Sequence, residues 1–219
     1  MRPLSRAEVR EVDRMAIEEF GVSGLVLMEN AGAGAARIID DLAGDGPITI
    51  LCGKGNNAGD GYVIARHLEL ADRSVQLVSI VDPAELTGDA AVNYQIAQRS
   101  ELPIRVVTTP SELSSSLSES MAIIDCLLGT GAQGALRGVF ADAVHAANKI
   151  DALRIAIDVP TGVDCDSGEI VSTAFRADHT ITFVAEKIGL QHAQDHVGQI
   201  HVVGIGAPRC VLRRWSQAN

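Results

Sequence analysis

The stretch Ile48-Thr49-Ile50-Leu51-Cys52-Gly53-Lys54-Gly55-Asn56-Asn57-Ala58-Gly59-Asp60-Gly61-Tyr62-Val63-Ile64-Ala65-Arg66-His67-Leu68 decides the fold. Its first five residues are an apolar run and read as a buried strand; the part from Tyr62 onward reads as a helix. Between them lie four glycines, two asparagines and one aspartate. A glycine-rich turn from strand to helix lets backbone N–H groups approach a phosphate closely, with the positive end of the helix behind them. The function is expected at this loop.

Working outward, six further runs of strand length follow, at 75–80, 104–107, 122–128, 154–159, 180–184 and 200–203. Helical patterns separate most of them, at about 61–71, 88–100, 111–119 and 138–149. Before the opening stretch, Val9, Val12, Ala16 and Phe20 share one face of a helix that Gly21 and Gly24 end. A second helix is expected over about 25–43, with Leu25, Met28, Ala35 and Ile39 on one face and a run of Ala and Gly at 31–36 that permits close packing. Strands alternating with helices imply an α/β fold with a mostly parallel central sheet. The last two strands are joined by a short Gly- and His-containing segment, so an irregular edge is expected there. The serine-rich 114–120 is too short to divide domains, and 213–219 reads as a polar tail. Residues 1–219 read as a single domain.

Composition agrees with this class. The chain is 47% hydrophobic but 3% aromatic, so its core draws on Ala, Val, Ile and Leu, as parallel strands covered by helices do. A net charge of -10 argues against a nucleic-acid surface or an anionic-membrane surface, but not against one phosphorylated small molecule held by backbone amides. No apolar run approaches the roughly 18 residues of a membrane span, and the N-terminal residues lack an apolar signal core. A cytoplasmic location without membrane association is expected. Cys52, Cys126, Cys165 and Cys210 match no zinc or redox spacing, and Cys52 and Cys126 read as buried small hydrophobes.

Ligands of open α/β sheets bind beyond the carboxyl ends of the strands. Three Gly-rich, Asp-bearing loops fall there: the opening loop, the segment after Asp125 (Gly129-Thr130-Gly131-Ala132-Gln133-Gly134-Ala135), and Asp158-Val159-Pro160-Thr161-Gly162. The first is neither the dinucleotide fingerprint, which needs G-x-G-x-x-G and a distant acid, nor a Walker A loop, which needs Gly-Lys-Ser/Thr. Asp125 lies within an apolar run, where a carboxylate is costly unless capped, paired or bound to a cation. Asp158 ends an apolar strand, either as a turn cap or as a catalytic carboxylate. Lys187 reads as a solvated lysine, with positive charge at the site as the other reading. His192 and His196 lack the Glu of H-E-x-x-H and read as a surface feature.

Met28-Glu29-Asn30-Ala31-Gly32, the 53–61 loop, Asp125 with Leu128-Gly129-Thr130-Gly131, Asp158-Val159-Pro160-Thr161-Gly162, and Ala177-Asp178-His179-Thr180-Ile181-Thr182-Phe183 with Lys187 together resemble the NAD(P)HX epimerase family, the YjeF N-terminal domain. The resemblance runs from the first helix to about Pro208. It implies a Rossmann-like three-layer α/β/α sandwich with two N-terminal helices. It also implies epimerisation of hydrated NADH and NADPH, so that a dehydratase acting only on the S epimer also disposes of the R epimer. That dehydratase is expected as a separate protein, and a homodimer is implied. Carried onto this chain, the resemblance implies that Asn56, Asn57, Ala58, Gly59 and Asp60, the residues Gly129, Thr130, Gly131, Ala132, Gln133, Gly134 and Ala135, and Asp158 contact the substrate. It further implies K+ at Asn57, Asp125 and Thr161. Ala58 stands where the family usually has glycine, and would cost on the order of 1 kcal/mol if that position needs positive φ. Thr161 replaces the usual serine and keeps its hydroxyl.

The stereocentre of such a substrate carries both a hydroxyl and the ring nitrogen. It inverts through loss and return of the hydroxyl, or through ring opening and closure. Either route asks for an acid/base beside the hydroxyl and negative potential near the developing cation. Asp158 is the candidate for both roles and Asp60 the reserve. Two other readings stay open on sequence: a non-catalytic nucleotide-binding or protein-interaction module of the same fold, and a phosphoryl-transfer enzyme. The second lacks a Walker lysine and a paired acidic site for magnesium.

Overall fold

The computed structural model describes residues 1–216. Two helices come first, α1 (Arg6–Glu18) and α2 (Gly24–Leu42). Then follow β1 (Ile48–Cys52), α3 (Asn56–Leu70), β2 (Val75–Ser79), α4 (Gly88–Arg99), β3 (Ile104–Val106), α5 (Pro110–Leu117), β4 (Ala122–Cys126), α6 (Val139–Ala147) and β5 (Leu153–Ile157). The chain continues through β6 (His179–Phe183), a short α7 (Gln194–Val197), β7 (Gln199–Val203) and a short α8 (Arg209–Leu212). Ser5 starts α1 with a capping box closed by Glu8, and Ser23 caps α2, each satisfying a backbone N–H that the helix itself leaves free.

The strands form one parallel sheet in the order β3-β2-β1-β4-β5-β6-β7. The chain therefore builds outward from β1 in one direction and then returns to place β4 on its other side. The crevice between β1 and β4 is the topological switch point at which such sheets bind ligands. Alternate residues of each strand feed two cores. Ile48, Ile50 and Cys52 of β1 pack with α1, α2 and α3, while Leu51 packs with Leu113 and Leu117 of α5 and Val144 of α6. Burial on both faces explains why β1 and β4 read as unbroken apolar runs. The sandwich is thus the expected three-layer α/β/α arrangement. No helix among the described residues is long and apolar enough to cross a membrane.

Several local expectations are corrected. The edge formed by β6 and β7 is regular, pairing from His179↔Gln199 to Phe183↔Val203, because Gly198 turns the chain with positive φ directly into β7. Phe20 and Leu25 are exposed, since α1 ends before Phe20 and the buried stripe of α2 runs through Leu27, Ala31 and Ala35. The small residues of α2 act as expected: a β-carbon on Gly32 would strike Val63, and one on Gly34 would strike Val203. Of the tail at 213–219, Arg213–Trp215 forms a 3-10 turn, and residues 217–219 lie outside the described residues.

The largest shift concerns the opening loop. Helix α3 begins at Asn56, so most of the glycine-rich segment is its first turns. Among the described residues, the non-glycine positions with positive φ are Asp72, Glu101, Asp158 and Val184, so Ala58 is unstrained. It is a fully buried helical alanine, and the methyl group suits a helix. Gly61 is needed for closeness instead: a β-carbon there would lie 3.1 Å from the sulfurs of both Cys52 and Cys126, so glycine lets α3 lie against the two strands that flank the switch point.

Candidate active site

The carboxyl ends of β1, β4 and β5 bring the three loops together. A cavity of about 530 Å³ opens there, lined by Asn57, Asp60, Gly129, Thr130 and Asp158, with Asp13 of α1 facing them. Asn56, Gly131 and Ala132 join the same wall. The structure separates the rest of the expected set. Gln133, Gly134 and Ala135 line a second cavity of about 570 Å³ on the other side of the segment, and Ala132 borders both. Ala58 and Gly59 are buried within α3, behind the cavity wall.

Asp158 is the centre of the site. It is nearly buried, and its backbone has φ 69°. The Val159 amide bonds the Ile157 carbonyl at 2.9 Å, closing a three-residue turn around Asp158. The next strand ends the same way: Val184 has φ 69° and the Ala185 amide bonds the Phe183 carbonyl at 2.8 Å. Such positive-φ γ-turns are rare and strained, at about 1–3 kcal/mol each, and strain of this kind gathers at functional sites. Here the turn aims the Asp158 carboxylate at the cavity. Its Oδ1 pairs with Lys187 Nζ at 2.6 Å, and its Oδ2 accepts the Thr130 amide at 2.8 Å. A β-carbon on Gly129 would sit 2.8 Å from Oδ2, so only glycine lets the 129–131 segment come this close.

Lys187 is not solvated. It is completely buried, and its ammonium also donates to Thr182 Oγ1 at 2.7 Å and to the Phe183 carbonyl at 2.9 Å. With Asp158, these partners use all three of its protons. A lysine leaves water this fully only when paired, and the partner here is the candidate catalytic carboxylate.

Asp125 answers the burial problem differently. It is fully buried in β4 and accepts the Thr161 amide and hydroxyl at 2.8 Å each and the Leu127 amide at 3.1 Å. Burial pushes its carboxyl up to about 6, against the pull of these donors. Asn57 and Thr161 both reach Leu128: Asn57 Nδ2 donates to its carbonyl at 3.0 Å, and its amide donates to Thr161 Oγ1 at 3.1 Å. Asn57 Oδ1, however, is buried without a partner. An orphaned amide oxygen, a buried carboxylate and a hydroxyl around one loop form a donor set of hard oxygens, which fits an alkali or other hard cation. No cluster of three or more His, Cys, Asp or Glu suited to a metal occurs among the described residues.

Asp60 and Asp13, two further carboxylates of the cavity, hold their protons more tightly than usual. Asp60 is buried and accepts no hydrogen bond from a described side chain or amide. Burial, with the charges of Asp158 and Asp13, pushes its carboxyl well above the usual range against the pull of Lys187. Burial, then the charge of Asp158, raises Asp13 to about 6. Because Asp13 holds its proton more tightly folded than unfolded, its contribution to stability is full at low pH and is lost as pH rises through about 6. Asp13→Asn should therefore raise thermal stability at pH 8 by about 1 kcal/mol relative to the parent, with the gain vanishing below pH 4. Melting curves across that range would check it; a gain equal at both ends would contradict it. Sequence reading did not single out Asp13, because a charge between Val12 and Arg14 looks like any solvated residue of an amphipathic helix.

The family model described as "YjeF-related protein N-terminus" matches residues 24–189, which include all three loops, Asp158 and Lys187. The chain belongs to this family. Other members of the YjeF-related N-terminal family resemble it along nearly the whole chain. A Rhodopirellula baltica protein named NAD(P)H-hydrate epimerase is 47% identical over 216 residues, covering 98% of this chain and 88% of that protein. A Pirellula staleyi protein of the same name is 41% identical, covering 96% of this chain and 95% of that protein. The Thermofilum pendens bifunctional NAD(P)H-hydrate repair enzyme Nnr is 36% identical over 94% of this chain, which spans 40% of that longer protein. The crystal structure of the yeast protein ynu0 (YNL200c) superposes with a TM-score of 0.85 over 99% of this chain and 94% of that one, at 21% identity, which supports the fold. Cys52, Cys126 and Cys165 are buried free thiols, and His192 is exposed with no bond to the site.

Proposed function

We propose that this YjeF-family protein interconverts the R and S epimers of hydrated NADH and NADPH. The observation that carries this reading is Asp158, held against Lys187 and the Thr130 amide at the switch point of a chain 47% identical to a named NAD(P)H-hydrate epimerase. The non-catalytic alternative is not favoured, because a buried ion pair at a cavity with two carboxylates of raised proton affinity beside it is chemistry-bearing equipment that a docking module does not need.

Asp158 supplies negative potential beside the carbon that becomes cationic when the hydroxyl leaves. Both of its oxygens are engaged, which makes it a poor proton donor. Asp60, whose hold on its proton burial strengthens, is the better acid: it gives its proton to the hydroxyl as the C–O bond breaks and water leaves, the ring nitrogen's lone pair forms the iminium bond, and a water adding to either face returns a proton to Asp60. The amides of Asn56 and Asn57, in the first turn of α3, have no helical carbonyl to bond and suit the substrate's diphosphate. Glycine at 129 and the 130–132 backbone form the facing wall.

Asn57, Asp125 and Thr161 would hold K+, which would supply positive charge that keeps Asp125 ionised and the loop in place. At about ten times its dissociation constant K+ should stabilise the protein by about 1.4 kcal/mol, a rise of roughly 3–5 °C in melting temperature over Li+. Asn57→Leu should abolish the difference, and an equal response to both ions in the parent would count against the site. A separate dehydratase is the pathway partner we propose, and a homodimer is proposed on the resemblance.

Purified R epimer, incubated with the protein and followed by chromatography, tests the function. Appearance of S faster than in buffer supports it; identical time courses with and without protein refute it.

A further inference from the structure

Arg6 opens α1, ahead of the region that the family model matches, yet it is buried and reaches the site. Its Nε donates to the Thr130 carbonyl at 2.6 Å. Its Nη2 donates to the Ala132 carbonyl at 3.1 Å and to Asp164 Oδ2 at 2.8 Å. Asp164 is itself fixed, since its Oδ1 accepts the Asp166 and Ser167 amides at 3.0 and 2.9 Å. The Arg6 amide donates to Asp166 Oδ1 at 2.7 Å, so backbone and side chain are tied to the same turn.

Thr130 is thereby held from both ends. Its carbonyl is on Arg6, and its amide is on Asp158 Oδ2. The other partner of Asp158 is held from two residues upstream of Arg6: the Leu4 amide bonds the Glu186 carbonyl at 2.8 Å and the Ile188 amide bonds the Leu4 carbonyl at 3.1 Å, bracketing Lys187. Residues 4–6 therefore fix both groups that orient the Asp158 carboxylate. A planar guanidinium bridges two carbonyls and a carboxylate in one geometry, which a lysine ammonium on a flexible stem does not reproduce.

We propose that Arg6 is a positioning residue for epimerisation, holding the 130–132 segment so that the Thr130 amide stays on Asp158. The proposal rests on the epimerase reading. Misplacement of a reacting group by about an ångström costs up to about a hundredfold in rate. Arg6→Ala should therefore lower kcat by roughly ten- to a hundredfold, with a smaller rise in KM, because Thr130 and Ala132, which it holds, line the cavity while Arg6 itself does not. Low-millimolar guanidinium should restore much of that rate, which no general loss of folding would allow. Arg6→Lys keeps the charge on Asp164 and should melt close to the parent while still losing about tenfold in kcat. Arg14→Ala, on the exposed face of the same helix, should behave as the parent.

The test is steady-state epimerisation of one purified epimer by the full chain and these variants, with melting temperatures beside it. Loss in Arg6→Lys without a matching fall in melting temperature, or guanidinium rescue of Arg6→Ala, supports the role. Parental kcat in Arg6→Lys, together with no rescue of Arg6→Ala, overturns it. An inactive parent would instead overturn the functional reading beneath it.

Discussion

Replacing Lys187 with methionine should destabilise the protein by about 3–5 kcal/mol, a fall of roughly 10 °C in melting temperature. Methionine keeps much of the apolar stem but removes the ammonium that three oxygens surround. Asp158 would then sit in a nearly buried position with the Thr130 amide as its one remaining donor. The cost comes from the stranded partner, so it should be largely recovered in Lys187→Met/Asp158→Asn, where no charge is left unpaired. Thermal unfolding of the parent, the two single variants and the double variant measures this coupling. A Lys187→Met protein that melts with the parent would mean that the pair does not form in solution.

The second large effect is on rate. Asp158→Asn should slow epimerisation by about 10²–10⁴; because it strands the buried Lys187 it should also lower stability by up to about 3–5 kcal/mol, so its rate is measured well below its own melting transition. Asparagine has nearly the shape of aspartate, and its oxygen still accepts from Thr130 or Lys187. It carries no charge to set against a developing iminium ion. Lys187 would lose its carboxylate partner beside the cavity as well, so the loss should exceed that of Asp60→Asn in the chemical step. Equal rates for Asp158→Asn and the parent would remove Asp158 from the mechanism.

The strands were legible because β1, β4 and β5 are covered on both faces and must be apolar almost throughout. That three polar loops share one rim also followed, from their places at the ends of those strands, whereas the strand order did not. The start of α3 was not legible, because glycine normally signals a turn. In this chain Gly61 serves contact between α3 and the sheet, and Gly59 contact with Met28 and Ala90. Ala58 carries no strain for the same reason, since it lies inside α3 and not in a turn. Asp125 could be read as a problem needing a solution, since a carboxylate in an apolar run always does. Which solution applies depended on Thr161, from the loop that follows β5. Lys187 was the least legible, since the residues that bury it come from β5, β6 and the segment before α1. Asp13 and Arg6 were hidden for a related reason: their role comes from where α1 docks, and an amphipathic helix does not announce which of its charged residues faces a cavity.

The measurement closest to the central claim is a coupled assay. An equilibrium mixture of hydrated NADH epimers would be given an excess of an S-specific dehydratase, with the parent protein, with Asp158→Asn, or with neither. The Asp158-centred site predicts rapid consumption of the whole mixture with the parent. Consumption of only the S fraction is expected in the other two, followed by a slow phase set by spontaneous epimerisation. A slow phase of equal rate in all three would contradict it.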